Sequence, residues 1–188
     1  LVLLWGMQQV MLDMVDNPPF VHELMAFLTE AARSKLDFLE TSGLLSLNAA
    51  CYLPPGGFGH TTELPAAGFT GKVRTVDMWG FAESQETVGI SPEMFAAFIF
   101  PYQLRLLERF GLASYGCCEP LERRWDTIRN IPRLRKVSVS AFADVERMAG
   151  QLEDRYCFCW KPHPADLAVP SLDQEAVRRT LRRTFQVT

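Results

Sequence analysis

The chain has 188 residues, of which 48% are apolar and 22% are charged, and its formal net charge is -3. These values suit one globular core, so we expect residues 1–188 to form a single domain. The lack of a basic surplus argues against a nucleic-acid partner. A membrane partner is also not expected, because no segment reaches the roughly 18 apolar residues that a membrane span needs. The chain opens on an apolar run without an initiator Met, so we interpret it as a fragment whose upstream part is missing.

The first predicted element is a helix. The residues Asp-Asn-Pro-Pro at 16–19 favour a helix start, and apolar residues then recur at helical spacing up to Gly43. The apolar run 44–49 is typical of a buried strand. The glycine- and proline-rich stretch 54–65 is longer than most connections, which predicts a functional or disordered loop.

From residue 75 onward, predicted strands and helices alternate. Ser91 and Asp144 are expected to cap two of the helices. Alternation of this kind predicts an α/β fold with a parallel sheet and crossover helices. The predicted strands are 75–80, 113–117, 136–140 and 156–160, and the predicted helices are 91–110, 121–130, 144–152 and 173–185.

The predicted architecture is a partial (β/α)8 barrel. With the strand at 44–49 the chain holds about five β/α units, whereas a complete barrel typically needs about 250 residues. We therefore expect the N-terminal units to be absent. An incomplete barrel exposes sheet edges, which predicts a homo-oligomer formed through those edges.

Candidate site residues are expected at the carboxyl ends of the strands, where parallel α/β proteins place their catalytic groups. Glu83, Gln85 and Glu86 follow the strand at 75–80, and their polar groups suit a small-molecule substrate or proton transfer. Lys161 follows the strand at 156–160 and can pair with a substrate carboxylate. His60 in the long loop is a further candidate contact. A solvated loop or surface residue is the alternative for each of them.

Thiols cluster near two of the strands. Alternation places Cys157 and Cys159 on one face of the strand at 156–160, toward the barrel interior, and directs Ser138 and Ser140 inward as well. With Cys117, these two cysteines are candidate zinc ligands, because zinc favours sulfur and nitrogen. The spacing is not that of a zinc knuckle, so reduced, buried cysteines of a cytosolic protein are the alternative.

Three runs resemble the uroporphyrinogen decarboxylase superfamily, namely DMWGFAESQE at 77–86, IFPYQ at 99–103 and YGCCEPL at 115–121. Shorter runs at 125–126, 135–140 and 160–162 extend the resemblance over nearly the whole chain, toward the bacterial uroporphyrinogen-decarboxylase-like branch. The resemblance implies a (β/α)8 barrel. Its runs add Trp79, Tyr115 and Glu119 as candidate substrate-binding residues.

The resemblance implies two activities, which are cofactor-free decarboxylation of uroporphyrinogen acetate groups and zinc-dependent methyl transfer with corrinoid proteins and thiols. In the methyltransferases a His-x-Cys motif and a later cysteine bind zinc. Here Cys117 matches the motif cysteine, whereas Tyr115 stands at the histidine position. Cys157 or Cys159 would supply the later thiolate, and Glu83 the missing ligand.

Three hypotheses follow for the function. The first is a zinc/thiolate methyltransferase-like enzyme that acts with a corrinoid protein or a thiol. The second is a cofactor-free decarboxylase, with Lys161 and the loop 83–86 as polar contacts. The third is a non-catalytic barrel fragment that associates with a partner. Because the main residues of the decarboxylases lie in the N-terminal half of the barrel, the isolated chain is expected to be inactive.

Overall fold

The computed structural model of the chain describes residues 1–50 and 58–188, so the predicted loop 54–65 lies partly outside the described residues. Three helices come first: α1 (Val2–Trp5), α2 (Met7–Asp16) and α3 (Pro18–Thr41). Prolines occupy the first turn of α3, where the missing N–H costs nothing. Gly43 follows the end of α3 with a φ of 67°, a conformation that glycine adopts without strain. The predicted first helix is therefore confirmed.

A parallel sheet of four strands forms the centre of the described structure, in the order β1-β2-β3-β4. The structure thus confirms the predicted α/β fold with a parallel sheet. The strands are β1 (Trp79–Ala82), β2 (Leu112–Tyr115), β3 (Leu134–Val139) and β4 (Cys157–Trp160). The helices between and after them are α4 (Pro92–Phe98), α5 (Phe100–Leu107), α6 (Trp125–Ile128), α7 (Val145–Leu152) and α8 (Gln174–Val187).

The predicted strand at 44–49 is wrong, because the described residues form no strand there. Leu44 and Leu47 are exposed, and Ala49 is the one buried residue of this apolar run. Instead, the side-chain amide of Asn48 donates to the carbonyl of Trp79 (3.0 Å) and accepts from its N–H (2.9 Å). One amide side chain thus satisfies both backbone groups of Trp79 at the free edge of β1, where a neighbouring strand would otherwise pair.

Three other predicted elements differ from the structure by more than two residues at one end. The helix predicted over 121–130 is reduced to the single turn of α6, Trp125–Ile128. The strand predicted from residue 75 begins at Trp79, because the carboxylate of Asp77 accepts from the Arg74 backbone N–H and guanidinium and holds Thr75–Asp77 in a 3-10 turn. The helix predicted over 91–110 is divided into α4 and α5 at Ile99, just before Pro101 in the first turn of α5. Ser91 caps α4 as predicted, and its hydroxyl accepts from the Met94 N–H at 3.1 Å.

The two faces of the sheet are covered differently. Val137 and Val139 of β3 are buried in the main core with residues of α6 and α7, and Phe158 and Trp160 of β4 pack against the same core. The side chain of Ser138 lies on the opposite face and is also buried. The amino-terminal part of that second face is covered by a smaller apolar cluster, which consists of Ala49, Leu64, Trp79 and Leu112 with Phe58 packed against it.

Among the described residues, no helix combines the length and the apolar character that crossing a membrane requires.

Candidate functional site

The carboxyl ends of all four strands lie at one edge of the sheet, because the strands are parallel. We call this region the carboxyl edge and define it by Glu83 after β1, Cys117 and Cys118 after β2, and Lys161 after β4. These positions are brought together by pairing of each strand with the next one in the sequence. The structure thus brings the candidates Glu83, Cys117 and Lys161 to one edge of the sheet, and Cys118 lies next to Cys117 there.

Glu119 joins the first two loops of the carboxyl edge. One carboxylate oxygen accepts from the backbone N–H of Ser84 at 2.8 Å, and the other accepts from that of Cys117 at 2.9 Å. The side chain is fully buried. Glu119 was a candidate substrate contact, and the structure gives both of its oxygens backbone partners. It therefore fixes the loop after β1 relative to the loop after β2.

Glu83 lies in a fixed backbone position with a partly buried carboxylate. Its carbonyl accepts from the side-chain amide of Gln103 at 2.7 Å, and its carboxylate accepts from the backbone N–H of Gln85 at 2.8 Å. Burial raises the pKa of Glu83, and the nearby carboxylates of Glu86 and Glu119 raise it further against the lowering effects of the Gln85 hydrogen bond and Lys161. Glu83 therefore holds a proton to a higher pH than an ordinary glutamate does, which suits a group that transfers protons.

Lys161 crosses from the end of β4 toward the end of β2. Its backbone N–H donates to the carbonyl of Val139 at 2.9 Å, which extends the β3–β4 pairing by one residue. Its ammonium donates to the carbonyl of Cys117 at 2.7 Å. The positive charge lowers the pKa of both Glu83 and Cys117, although burial has the larger, opposite effect on each. Lys161 therefore holds its positive charge at the Cys117 carbonyl, and its effect on the pKa of Glu83 is weaker than those of burial, the Gln85 hydrogen bond and the neighbouring carboxylates.

The four described cysteines are free thiols in two separate places. The sulfur atoms of Cys117 and Cys118 are 3.6 Å apart. Burial, together with this contact, raises the pKa of Cys117 to about 11. Cys157 and Cys159 lie on β4 and pair across the sheet with Lys136 and Ser138 of β3, so one strand separates them from the loop after β2.

The predicted zinc ligands do not form a complete site. Within residues 1–50 and 58–188, no group of three or more His, Cys, Asp or Glu side chains is arranged to hold a metal ion. Cys117 lies next to one other thiol, whereas zinc in a protein usually takes three or four protein ligands. Cys51 lies outside the described residues. The binding of zinc therefore stays a prediction.

Two further candidates lie inside the protein. Tyr115 is fully buried, and its hydroxyl donates to the side-chain carbonyl of Gln103 at 2.7 Å. Its ring contacts that of Phe95 on the helical side of the sheet. Trp79 is buried at the amino end of β1, and its indole N–H donates to the carbonyl of Gly59 at 3.1 Å. Both side chains are held by internal contacts, and Gln103 links the Tyr115 hydroxyl to the Glu83 carbonyl.

His60, Gln85 and Glu86 complete the set of candidates. His60 is exposed and lines a cavity of about 610 Å³ that is bounded by residues of 47–50 and 60–65 and shares no lining residue with the carboxyl edge. Gln85 and Glu86 lie in the 3-10 turn Gln85–Thr87, where the Gln85 amide contacts the Glu86 carboxylate at 3.4 Å. The structure thus brings Gln85 and Glu86 beside Glu83 and leaves His60 elsewhere.

Arg124 supports the same loop and was not a sequence candidate. Its buried guanidinium donates to the carbonyls of Thr87 and Ile90, the latter at 3.3 Å, and lies 4.7 Å from the centre of the Phe95 ring. Burial lowers its pKa, and the charges of Tyr115 and Glu119 act in the opposite direction. In the sequence it follows the exposed Arg123, and no local signal distinguishes the two arginines.

Comparison of the chain with protein-family models, with curated proteins and with solved structures found no match in any of the three.

Proposed function

We propose that the parallel sheet is part of a (β/α)8 barrel of the uroporphyrinogen decarboxylase superfamily, which the sequence resembles. Two observations support this. The four strands follow one another in chain order without reversal, as they do in a barrel. The face opposite the helices bears Ser138, Cys157 and Cys159, which are small side chains that suit a barrel interior.

We infer that the barrel is a decarboxylase-like lyase that acts on a carboxylated small molecule at the carboxyl edge. The observation that supports it best is that Glu83 and Lys161 lie at the same edge of the sheet. The pKa of Glu83 is raised, chiefly by burial, and the ammonium of Lys161 is close enough to act on it. Glu83 can thus donate a proton while Lys161 binds an anionic group of the substrate.

In the proposed reaction, Lys161 pairs with a carboxylate that remains on the substrate and so orients it. A second carboxylate leaves as carbon dioxide, and its bonding electron pair stays on the substrate carbon. Protonated Glu83 donates its proton to that carbon, and the Glu83 carboxylate then regains a proton from water. General acid catalysis of this kind typically contributes about 10²- to 10⁴-fold to the rate.

The test is release of carbon dioxide by the protein, with uroporphyrinogen and smaller polycarboxylic acids as substrates. We expect Glu83→Gln to lower kcat by about 100-fold or more, because an amide does not supply the proton. Lys161→Met should raise KM, and the control Lys35→Met, on the exposed surface of α3, should change neither constant. Turnover that is unchanged in Glu83→Gln would overturn the proposal.

A second candidate is the thiol-dependent methyltransferase with a corrinoid partner. The Cys117–Cys118 pair at the carboxyl edge favours it, since two thiols 3.6 Å apart resemble part of a soft-metal site. The described residues supply no third ligand, so we derive no reaction step through zinc. Metal analysis of full-length protein tests this candidate. Absence of zinc, together with unchanged behaviour of Cys117→Ser, would exclude it in favour of the lyase or of a non-catalytic barrel.

A further inference from the structure

Cys117 and Cys118 are adjacent in the sequence, and their sulfur atoms lie 3.6 Å apart just after β2. Both are free thiols. Neighbouring residues of an extended strand direct their side chains to opposite faces, which would hold the two sulfur atoms apart. Here the chain leaves β2 through Gly116, whose φ of 94° is a conformation that glycine adopts without strain, and the two sulfur atoms meet beyond this turn. The two residues therefore form a vicinal dithiol.

The backbone of this dithiol is fixed on both sides of Cys117. Its N–H donates to the buried carboxylate of Glu119 at 2.9 Å. Its carbonyl accepts from the Ser138 hydroxyl at 3.2 Å and from the Lys161 ammonium at 2.7 Å. A ligand that bridges the two sulfur atoms therefore meets a chain that is already ordered, which favours binding because little conformational freedom is lost.

The two thiols differ in exposure and in ionisation. Cys118 is exposed, whereas Cys117 is buried. Burial raises the pKa of Cys117 to about 11, so this group is a neutral thiol at neutral pH. A ligand whose first bond forms with Cys118 has its bridging atom next to Cys117, and the second bond is then intramolecular. The pair thus suits a ligand that displaces the protons of two thiols in succession.

We propose that Cys117 and Cys118 bind a trivalent organic arsenical, with the arsenic atom bridging the two sulfur atoms. An organoarsenic oxide, R–As=O, condenses with the two thiols. The arsenic–oxygen double bond and two S–H bonds break, two As–S bonds form, and the oxygen leaves as water with both thiol protons. Arsenic stays trivalent, so the reaction consumes no oxidant or reductant.

The chemistry of the ligand matches the pair. Trivalent arsenic favours sulfur ligands, as other soft acceptors do. With one organic group attached, it takes two thiolates, and this is the number that the vicinal dithiol supplies. The site is independent of the proposed decarboxylation, because binding requires neither Glu83 nor turnover.

The other two described cysteines provide a contrast within the same chain. Cys157 and Cys159 are two residues apart on β4, and strand alternation places both on one face. Residues two apart along a strand are separated by about 6.6 Å, well beyond the 3.6 Å between the sulfur atoms of Cys117 and Cys118. We therefore expect bridging at the vicinal dithiol and not on β4.

The test is binding of phenylarsine oxide to the full chain, measured by mass spectrometry of the intact protein and of its peptides. We expect one phenylarsenic group per chain, on the peptide that contains Cys117 and Cys118. The dithiol 2,3-dimercaptopropanol should remove this group, whereas a monothiol at the same thiol concentration should not, because it replaces only one bond at a time. No adduct, or an adduct that maps to other cysteines, would overturn the proposal.

Variants locate the binding to the pair. Cys118→Ser, a change at an exposed position, should weaken binding by about 100-fold or more, because the second As–S bond is lost. The matched control Cys159→Ser should leave the affinity unchanged. Equally tight binding in Cys118→Ser would contradict the proposal. These readouts do not involve carbon dioxide release, so their failure is distinct from failure of the proposed function.

Discussion

Glu119 and Ser84 are joined by a hydrogen bond of 2.8 Å from a backbone N–H to a fully buried carboxylate, across the gap between the loops after β1 and β2. The other oxygen of the same carboxylate accepts from Cys117. A single side chain therefore sets the distance between Glu83 and the thiol pair. Its removal should affect stability and the geometry of the carboxyl edge together.

Glu119→Ala should lower the free energy of unfolding by about 2–5 kcal/mol, because two buried N–H groups lose their acceptor. Glu119→Gln keeps one oxygen and should cost less. Urea denaturation of both variants measures the difference. Glu153→Gln, with an exposed carboxylate, is the control and should stay within about 0.5 kcal/mol of the wild type. A stability of Glu119→Ala equal to that of the control would contradict this role.

Gly80 of β1 should not tolerate a methyl group. A Cβ atom at this position would lie 2.6 Å from the ring of Phe110, well inside van der Waals contact. Gly80→Ala should therefore cost about 1–3 kcal/mol, as overpacking of a core usually does. Gly150→Ala in α7 meets open space and should instead stabilise the chain by about 0.5–1 kcal/mol. Thermal melts of the two variants should shift in opposite directions.

Glu83→Gln should make the protein more stable at neutral pH. The folded chain raises the pKa of Glu83 above its ordinary value of 4.5, so it binds the proton more tightly than the unfolded chain does. The stability contribution of Glu83 therefore falls as the pH rises through 4.5 toward the folded pKa, and stays at its lower value above it. The Glu83→Gln variant has no ionisable group at this position, so it does not lose this stability as the pH rises. Since the carboxylate is partly exposed, the gain should be below about 1 kcal/mol.

Urea denaturation of Glu83→Gln and the wild type at several pH values checks this sign. The two stabilities should converge below about pH 4, where the carboxyl is protonated in both states. A difference that is constant with pH would show that the substitution acts through packing and not through ionisation.

Cys118 should react with iodoacetamide before Cys117. Alkylation requires the thiolate, and burial holds the pKa of Cys117 at about 11. At pH 8 only about one thousandth of Cys117 is ionised. Cys118 is exposed, so reagent also reaches it more easily. Mass spectrometry of peptides after timed labelling measures the order, and faster labelling of Cys117 would contradict the buried position of its thiol.

The outer edge of β4 should mediate self-association. Among the described residues, β4 pairs with β3 only, which leaves its other side without a strand partner. Light scattering should show a dimer or larger species. Cys157→Lys places a charge on this exposed strand and should shift the protein toward the monomer, whereas Leu167→Lys at another exposed position should not. A monomeric wild type with a cooperative melt would exclude association through this edge.

Much of the fold could be predicted because its signals are local. The cap and periodicity of α7 depend on residues within a few positions, and Asp144 indeed accepts from the Arg147 N–H at 3.0 Å. The alternation of β3 likewise predicted the face on which Ser138 lies, and in the structure that face is opposite to the one that Val137 and Val139 bury in the main core. The prediction of a strand at 44–49 was wrong because the Asn48 side chain bonds the edge of β1 in place of a strand. This contact spans 31 positions in the sequence.

The site could be predicted only in part. Its position at the strand ends follows from the parallel topology, which placed Glu83 and Lys161 correctly at one edge. The role of Glu119 depends on a long-range hydrogen bond from the Ser84 N–H, in addition to the local one from the Cys117 N–H, and residue type alone does not predict such a long-range contact. The burial of Arg124 next to the exposed Arg123 depends on where the loop at 87–90 lies, so sequence periodicity gives no indication of it.

Each strand of the sheet pairs with the strand that follows it in the sequence, so a single connecting segment separates the two strands of every pair. Such contacts can form in the order in which the chain leaves the ribosome, and none has to wait for a distant segment. The sheet can thus grow from β1 to β4 during synthesis. Glu119, which lies between β2 and β3, would then fix the loop after β1 before the lysine at the end of β4 has been translated.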